Sequence, residues 1–271
     1  MRNVEHKKRA LSLLVVITFV MMIAVNIVAN LLPLNNMTTM DVSNLYKNLF
    51  TPAEYTFWIW ILIYIMLAKY SIYQFNFNSR RPDNNDRVVR KANTYFIITN
   101  FVYSLWIVLW HYDYIQLAVL LMVVLFVILF IIRANISHRS SMSRGEITSI
   151  QWPFSIYFAW ITVVTLANVS TYFAYSSGDM IGYNDVILTI VVLLCGLLFG
   201  IAMILKFQDV IYGIVLIWAY FGILFKHISS LYLEGVYSNI VITLIVCITV
   251  FSLSIGYVLL NKASNHRKTR R

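Results

Sequence analysis

Residues 11–32 read LSLLVVITFVMMIAVNIVANLL, an unbroken apolar run whose strongly polar side chains are Asn26 and Asn30. A helix needs about 20 apolar residues to cross the hydrocarbon core of a bilayer, and this run is long enough. It follows a basic start containing Lys7, Lys8 and Arg9, as a secretory signal would. Its length exceeds that of a signal h-region and no small-x-small cleavage site follows, so it is expected to be retained as the first span.

Further runs of the same kind follow at Thr56–Phe75, Ala92–Trp110, Ile115–Ile132, Trp152–Tyr175, Val186–Leu205, Val210–Phe225 and Ser238–Leu260. The sequence therefore predicts an all-α polytopic membrane protein with about eight transmembrane helices. The count depends on the link Lys206–Asp209, short enough for the sixth and seventh runs to merge into one long helix. Composition agrees: 60% of the 271 residues are hydrophobic and 12% charged, with mean hydropathy +0.75, against roughly half apolar and a quarter charged in soluble domains. Eight spans leave no room for a sizeable soluble domain, which excludes most cytosolic enzymes and secreted disulfide scaffolds.

Charge then orients the chain. With the N-terminus inside, 18 of the 21 Lys and Arg fall in segments on the inner side, while Lys47 and Lys226 lie on the outer side and Lys69 lies within a span. By the positive-inside rule this predicts a multi-pass protein of the cell (plasma or inner) membrane with both termini cytoplasmic. The net charge of +10 is then explained by loops anchored on an anionic leaflet, and no nucleic-acid partner is expected. Cys195 and Cys247 both fall within apolar runs, where neither a disulfide framework nor metal-ligand spacing is expected.

Ion-coupled transporters usually keep acidic or basic side chains deep in their spans, whereas here Asp and Glu sit in loops or at helix ends. The polar groups inside the spans are neutral or aromatic and fall on single helix faces. Asn26 and Asn30 are four apart; Phe57, Trp60 and Tyr64 follow steps of three and four. Asn100, Ser104 and His111 form a stripe beside Trp106 and Trp110, and Tyr157, Trp160, Val164 and Asn168 share one face of the fifth run. Given the orientation, Asn26, Asn30, Trp60, Trp106, Trp110 and Asn168 lie in the outer halves of their helices, and one outward-opening cavity would gather them. Two other readings stand beside that one. Tryptophan at span ends forms interfacial belts, the reading favoured for Trp58 and Trp152, and membrane Asn and Ser join helices by hydrogen bonds. Trp60 and Trp160 fit a pocket and simple packing equally well.

The first outer loop, after Pro33, places Val42, Leu45, Tyr46 and Leu49 at the spacing of a short amphipathic helix, with Asp41 as N-cap and Pro52 as stop. Such a helix either closes over an outward cavity as a lid or rests in the membrane interface.

Three segments carry a family resemblance. Phe50-Thr51-Pro52, with Tyr55-Thr56-Phe57, Ile59-Trp60 and Ile63-Tyr64, resembles the second-helix signature of the tryptophan-rich sensory protein family (TspO/MBR). Asn100 with Tyr103-Ser104 resembles its third-helix pattern, and Tyr157-Phe158-Ala159-Trp160 followed by Asn168 its fifth. The resemblance covers roughly the first five helices. It implies that residues 1–175 form a five-helix membrane bundle, and the apolar runs of 176–271, which have no counterpart in that five-helix fold, are expected to add three transmembrane helices with a basic cytoplasmic tail. It further implies a pocket for a tetrapyrrole, porphyrin or haem-type molecule, or another hydrophobic ligand, closed by the first loop, with no cofactor required. Carried over, the pocket residues are Trp60, Tyr64, Tyr103, Ser104, Tyr157, Trp160 and Asn168. Ala53-Glu54-Tyr55 stands where the family often has Pro, Gly and Trp, and Tyr103 where it often has Trp, so ligand preference is expected to differ from that of a typical member.

The added helices carry Gly196 and Gly200, a GxxxG spacing for close packing within one chain or in a homodimer. The leading expectation is a ligand-binding or sensory membrane protein without enzymatic activity. A transporter of a small hydrophobic or amphipathic solute is the alternative, and an intramembrane enzyme the third. The sequence contains no HExxH, Walker loop or GxSxG elbow, and the candidate acid/base pair, His111 with Asp113, reads first as an interfacial hydrogen bond.

Overall fold

The alternation of long apolar runs with short polar links resolves into helices α1 (Arg2–Leu31), α2 (Thr39–Leu45), α3 (Ile59–Phe77), α4 (Asp86–His111) and α5 (Ile115–Ser137). These are followed by α6 (Arg144–Glu146), α7 (Trp152–Ser177), α8 (Tyr183–Phe207), α9 (Val210–Ile228) and α10 (Ser238–Lys268). The structure, a computed structural model, describes residues 2–32, 34–77, 86–139, 142–177 and 183–268. Pro33 of the predicted lid loop and the basic residues Arg80, Arg81, Arg270 and Arg271 lie outside them. Among the described residues, eight helical stretches are long and apolar enough to cross a membrane, one for each predicted run.

The sixth and seventh runs are separate helices. Gln208 takes a left-handed backbone conformation (φ 47°) that no α-helix propagates, and Asp209 caps α9 by accepting the Tyr212 N–H at 3.1 Å. The second span departs from its predicted start, because Glu54–Trp58 form a 3-10 turn and regular helix begins only at Ile59. Before α7 the chain makes a wide π turn over Ile147–Gln151. Pro153 follows it, whose ring would crowd the carbonyl four residues back in a regular helix.

The chain divides into two compact units, residues 1–45 with 59–161, and residues 46–58 with 162–271, so that the division runs through α7. In the first unit α4 packs on α1 and α5, and α1 also packs on α3. The N-terminal half of α7 enters this unit through its rings. Phe158 meets Phe126 and Phe130, while Phe154 meets Tyr70 and Phe96 edge-on at 4.7 and 5.7 Å. Asn100 on α4 donates to the Thr18 hydroxyl on α1 at 3.1 Å. Asn100 therefore joins two helices, as membrane amides commonly do.

In the second unit α10 packs on α8 and α9. Gly196 and Gly200 permit this closeness within the chain. A Cβ on Gly200 would stand 2.6 Å from Leu216 and 2.7 Å from Phe251, and one on Gly196 only 2.3 Å from the Tyr220 hydroxyl. That hydroxyl in turn donates to the Leu193 carbonyl at 2.9 Å.

Candidate functional site

In the first unit the periodic aromatic faces of α3, α4 and α7 converge on Trp60. Its ring lies 5.5 Å from Tyr64 in a stacked arrangement, 5.1 Å from Tyr103, 6.3 Å from Tyr157 and 6.2 Å from Trp160. The last two are edge-on, and each such pair contributes about 0.5–1.5 kcal/mol beyond the area it buries. Tyr103, Tyr157 and Trp160 are fully buried, whereas Trp60 and Tyr64 are half-buried and form the accessible margin of the cluster.

The polar groups of the cluster are all neutral. Asn26 on α1 donates through Nδ2 to the Tyr103 hydroxyl at 3.2 Å, and the Tyr64 and Tyr103 hydroxyls share a bond of 3.1 Å. The Tyr157 hydroxyl is buried and has no hydrogen-bond partner. Ser104 donates to the carbonyl of Asn100 on its own helix at 2.8 Å, which spends its hydroxyl on the backbone.

The rings continue along α4 as a ladder. Tyr103 stacks on Trp106 at 5.7 Å, and Trp106 on Trp110 at 5.5 Å. At the end of the ladder the Trp110 indole N–H donates to the Thr39 carbonyl at 3.2 Å, and the Asn30 amide oxygen accepts the Thr39 N–H at 3.4 Å. Asn35 Nδ2 donates to the His111 carbonyl at 3.0 Å. Asn30, Asn35 and Trp110 thus fasten the first loop and the start of α2 to the ends of α1 and α4.

The helix α2 begins earlier and ends sooner than its apolar spacing predicts. Asp41 is not the N-cap: Thr38 caps α2, and Asp41 is the third residue of a capping box. It accepts the Thr38 N–H at 2.8 Å and the Thr38 hydroxyl at 2.7 Å, while that hydroxyl accepts the Asp41 N–H at 3.2 Å. These donors hold the Asp41 carboxyl below the usual carboxylate range. Tyr46 and Leu49 lie beyond the helix, and Asn48 Oδ1 captures the N–H groups of Phe50 and Thr51 at 3.1 and 2.9 Å, which keeps helical bonding from resuming there.

The second unit holds the segment that carries the Phe50-Thr51-Pro52 signature. The Leu49 carbonyl bonds His227 Nε2 at 2.8 Å, and the Thr51 carbonyl accepts Lys226 Nζ at 3.1 Å. The Ala53 N–H donates to the Gly222 carbonyl at 3.1 Å, and Trp218 Nε1 donates to the Thr56 carbonyl, also at 3.1 Å. Gly222 is required by closeness, since a Cβ there would stand 2.0 Å from Thr56 Oγ1. The ring of Tyr55 lies edge-on to Trp218 and Phe225. One face of α9 therefore grips residues 49–56, a role the sequence reading did not assign to the last three helices. The available signal was Lys226 beside His227, a cation ending an apolar run on the basic-poor side.

Asn168 belongs to this second unit. It is buried, and its amide donates to the Val164 carbonyl of α7 at 2.9 Å. Trp58, read as an interfacial belt residue, is 74% exposed.

The family described as TSPO-like protein matches this chain over residues 12–257, which takes in the three C-terminal spans as well as the first five. No curated protein and no solved structure matches significantly.

Proposed function

The chain belongs to the TSPO-like protein family, and on that premise we propose that it is a ligand-binding sensory membrane protein. It takes a tetrapyrrole or other hydrophobic small molecule at the aromatic cluster of α3, α4 and α7. The observation that supports this reading most is the convergence of Tyr64, Tyr103, Tyr157 and Trp160 on Trp60. They lie within the second-, third- and fifth-helix patterns that resemble the family, with Tyr103 at a position where the family often has Trp. Stacked indole and phenol rings offer π faces to a flat apolar ligand, and half-buried Trp60 and Tyr64 form the side from which it is admitted. The ligand is bound and released unchanged, and the first loop, fastened by Trp110 and Asn30, is the element that closes over it. Both termini lie on the cytoplasmic side of the cell membrane, a placement supported by the strong bias of Lys and Arg toward one side.

Titration of the protein in nanodiscs with a porphyrin, read by tryptophan fluorescence, tests this function. Saturable quenching is expected, weakened at least about tenfold in Trp60→Phe or Trp160→Phe, a loss of about 1.4 kcal/mol. Non-saturable quenching, or affinity indifferent to both substitutions, removes the assignment.

A further inference from the structure

The hydroxyl groups around Trp60 are out of balance in a way that specifies what a ligand must bring. Tyr64, Tyr103 and Tyr157 supply three O–H donors within one cluster, and Asn26 adds an amide donor already directed at Tyr103. The bond between Tyr64 and Tyr103 consumes one of those protons. The Tyr157 hydroxyl, on a residue 1% exposed, bonds to nothing. A buried phenol without an acceptor is costly, and such a group calls for a partner from outside the chain, a water, an ion or a ligand. The cluster contains no Lys, Arg, His, Asp or Glu. An entering carboxylate would therefore meet donors but no counter-charge, and its desolvation would go uncompensated.

From this imbalance we infer that the part of the ligand entering the cluster is a flat, uncharged group bearing a carbonyl-type acceptor, held by the Tyr157 O–H. The inference rests on the ligand-binding reading above and deepens it. The acceptor selects among ligands that the rings alone would accept equally. Tyr103, which stands where the resembled family often has Trp, has its hydroxyl engaged by Asn26 and Tyr64, so the Tyr157 hydroxyl is left to hold the acceptor.

A matched set of probes tests it: fluorenone, fluorene and fluorenecarboxylate, partitioned between nanodiscs carrying the protein and empty nanodiscs. Fluorenone is expected to bind saturably and about tenfold more tightly than fluorene, with fluorenecarboxylate weaker than fluorenone. The infrared C=O stretch of bound fluorenone is expected to shift to lower frequency through the hydrogen bond. In Tyr157→Phe that shift and the preference over fluorene both disappear, while the helical circular dichroism of the variant in nanodiscs matches that of the wild type, which verifies that it is folded. Equal binding of fluorenone and fluorene, tight binding of the carboxylate, or an unaltered C=O shift in Tyr157→Phe overturns the inference and leaves the ligand-binding reading standing. Absence of saturable binding by every fluorene probe overturns the inference alone where the porphyrin of the titration above still binds, and overturns both where it does not.

Discussion

The indole N–H of Trp110 donates to the backbone carbonyl of Thr39 at 3.2 Å, which ties the first turn of α2 to the last rung of the aromatic ladder on α4. The ladder runs from Trp110 through Trp106 to Tyr103, and Tyr103 lies against Trp60. The loop and the cluster are thus joined by stacked rings, and a disturbance at either end has a packed route to the other.

Trp110→Phe keeps the stack but removes the donor to Thr39, and the loss of one such bond is worth about 1 kcal/mol. Hydrogen exchange over residues 39–45 is expected to accelerate about fivefold, with exchange in α4 and α5 unchanged. Unaltered protection of α2 would show that the bond carries none of its docking.

The capping box gives α2 a dependence on acidity. The two Thr38 donors stabilise ionised Asp41, so its folded pKa lies below the value of about 4 expected in an unfolded chain. The cap's contribution is therefore complete above that ordinary value and is lost as pH falls through the depressed folded one. Exchange of the α2 amides is expected to quicken relative to the rest of the protein on acidification, and Asp41→Ala to be fast already at neutral pH and insensitive to acid. A wild-type profile indifferent to acid would contradict this.

Gly222→Ala drives a methyl group into Thr56, whose Oγ1 would lie 2.0 Å away. Overpacking of this kind costs about 1–3 kcal/mol, so a lower thermal midpoint in detergent is expected. The double variant Gly222→Ala with Thr56→Ala is expected to recover part of the loss, because the two residues are in contact and their effects are not additive. No recovery would place the damage elsewhere on α9.

Tyr157→Phe removes a buried hydroxyl that has no hydrogen-bond partner. Relief of its desolvation is expected to stabilise the fold by about 1 kcal/mol, seen as a higher midpoint without added ligand. A lower midpoint would mean that the hydroxyl already has a structural partner.

Much of the cluster was legible beforehand because helical spacing alone puts Trp60 and Tyr64 on one face, and Tyr157 and Trp160 on another. Their meeting was not legible. It depends on how α3, α4 and α7 are rotated, and the apolar outer surface of a membrane helix does not reveal which side faces a neighbour. The capping box was partly visible: Asp41 was recognised as an N-terminal residue, but the reciprocal bonds that make Thr38 the cap appear only once the backbone is placed.

The number of spans and their apolar character are determined by the chain itself, since transfer into lipid acts on each run locally and needs no knowledge of distant residues. The break at Lys206–Asp209 became certain only through the left-handed Gln208 and the Asp209 cap. The convergence on Trp60, the fastening of α2 by Asn30 and Trp110, and the grip of α9 on residues 49–56 were decided by tertiary structure. Each joins groups far apart in the sequence, Lys226 to Thr51 for example, through hydrogen bonds or ring contacts whose geometry exists only after the helices have packed.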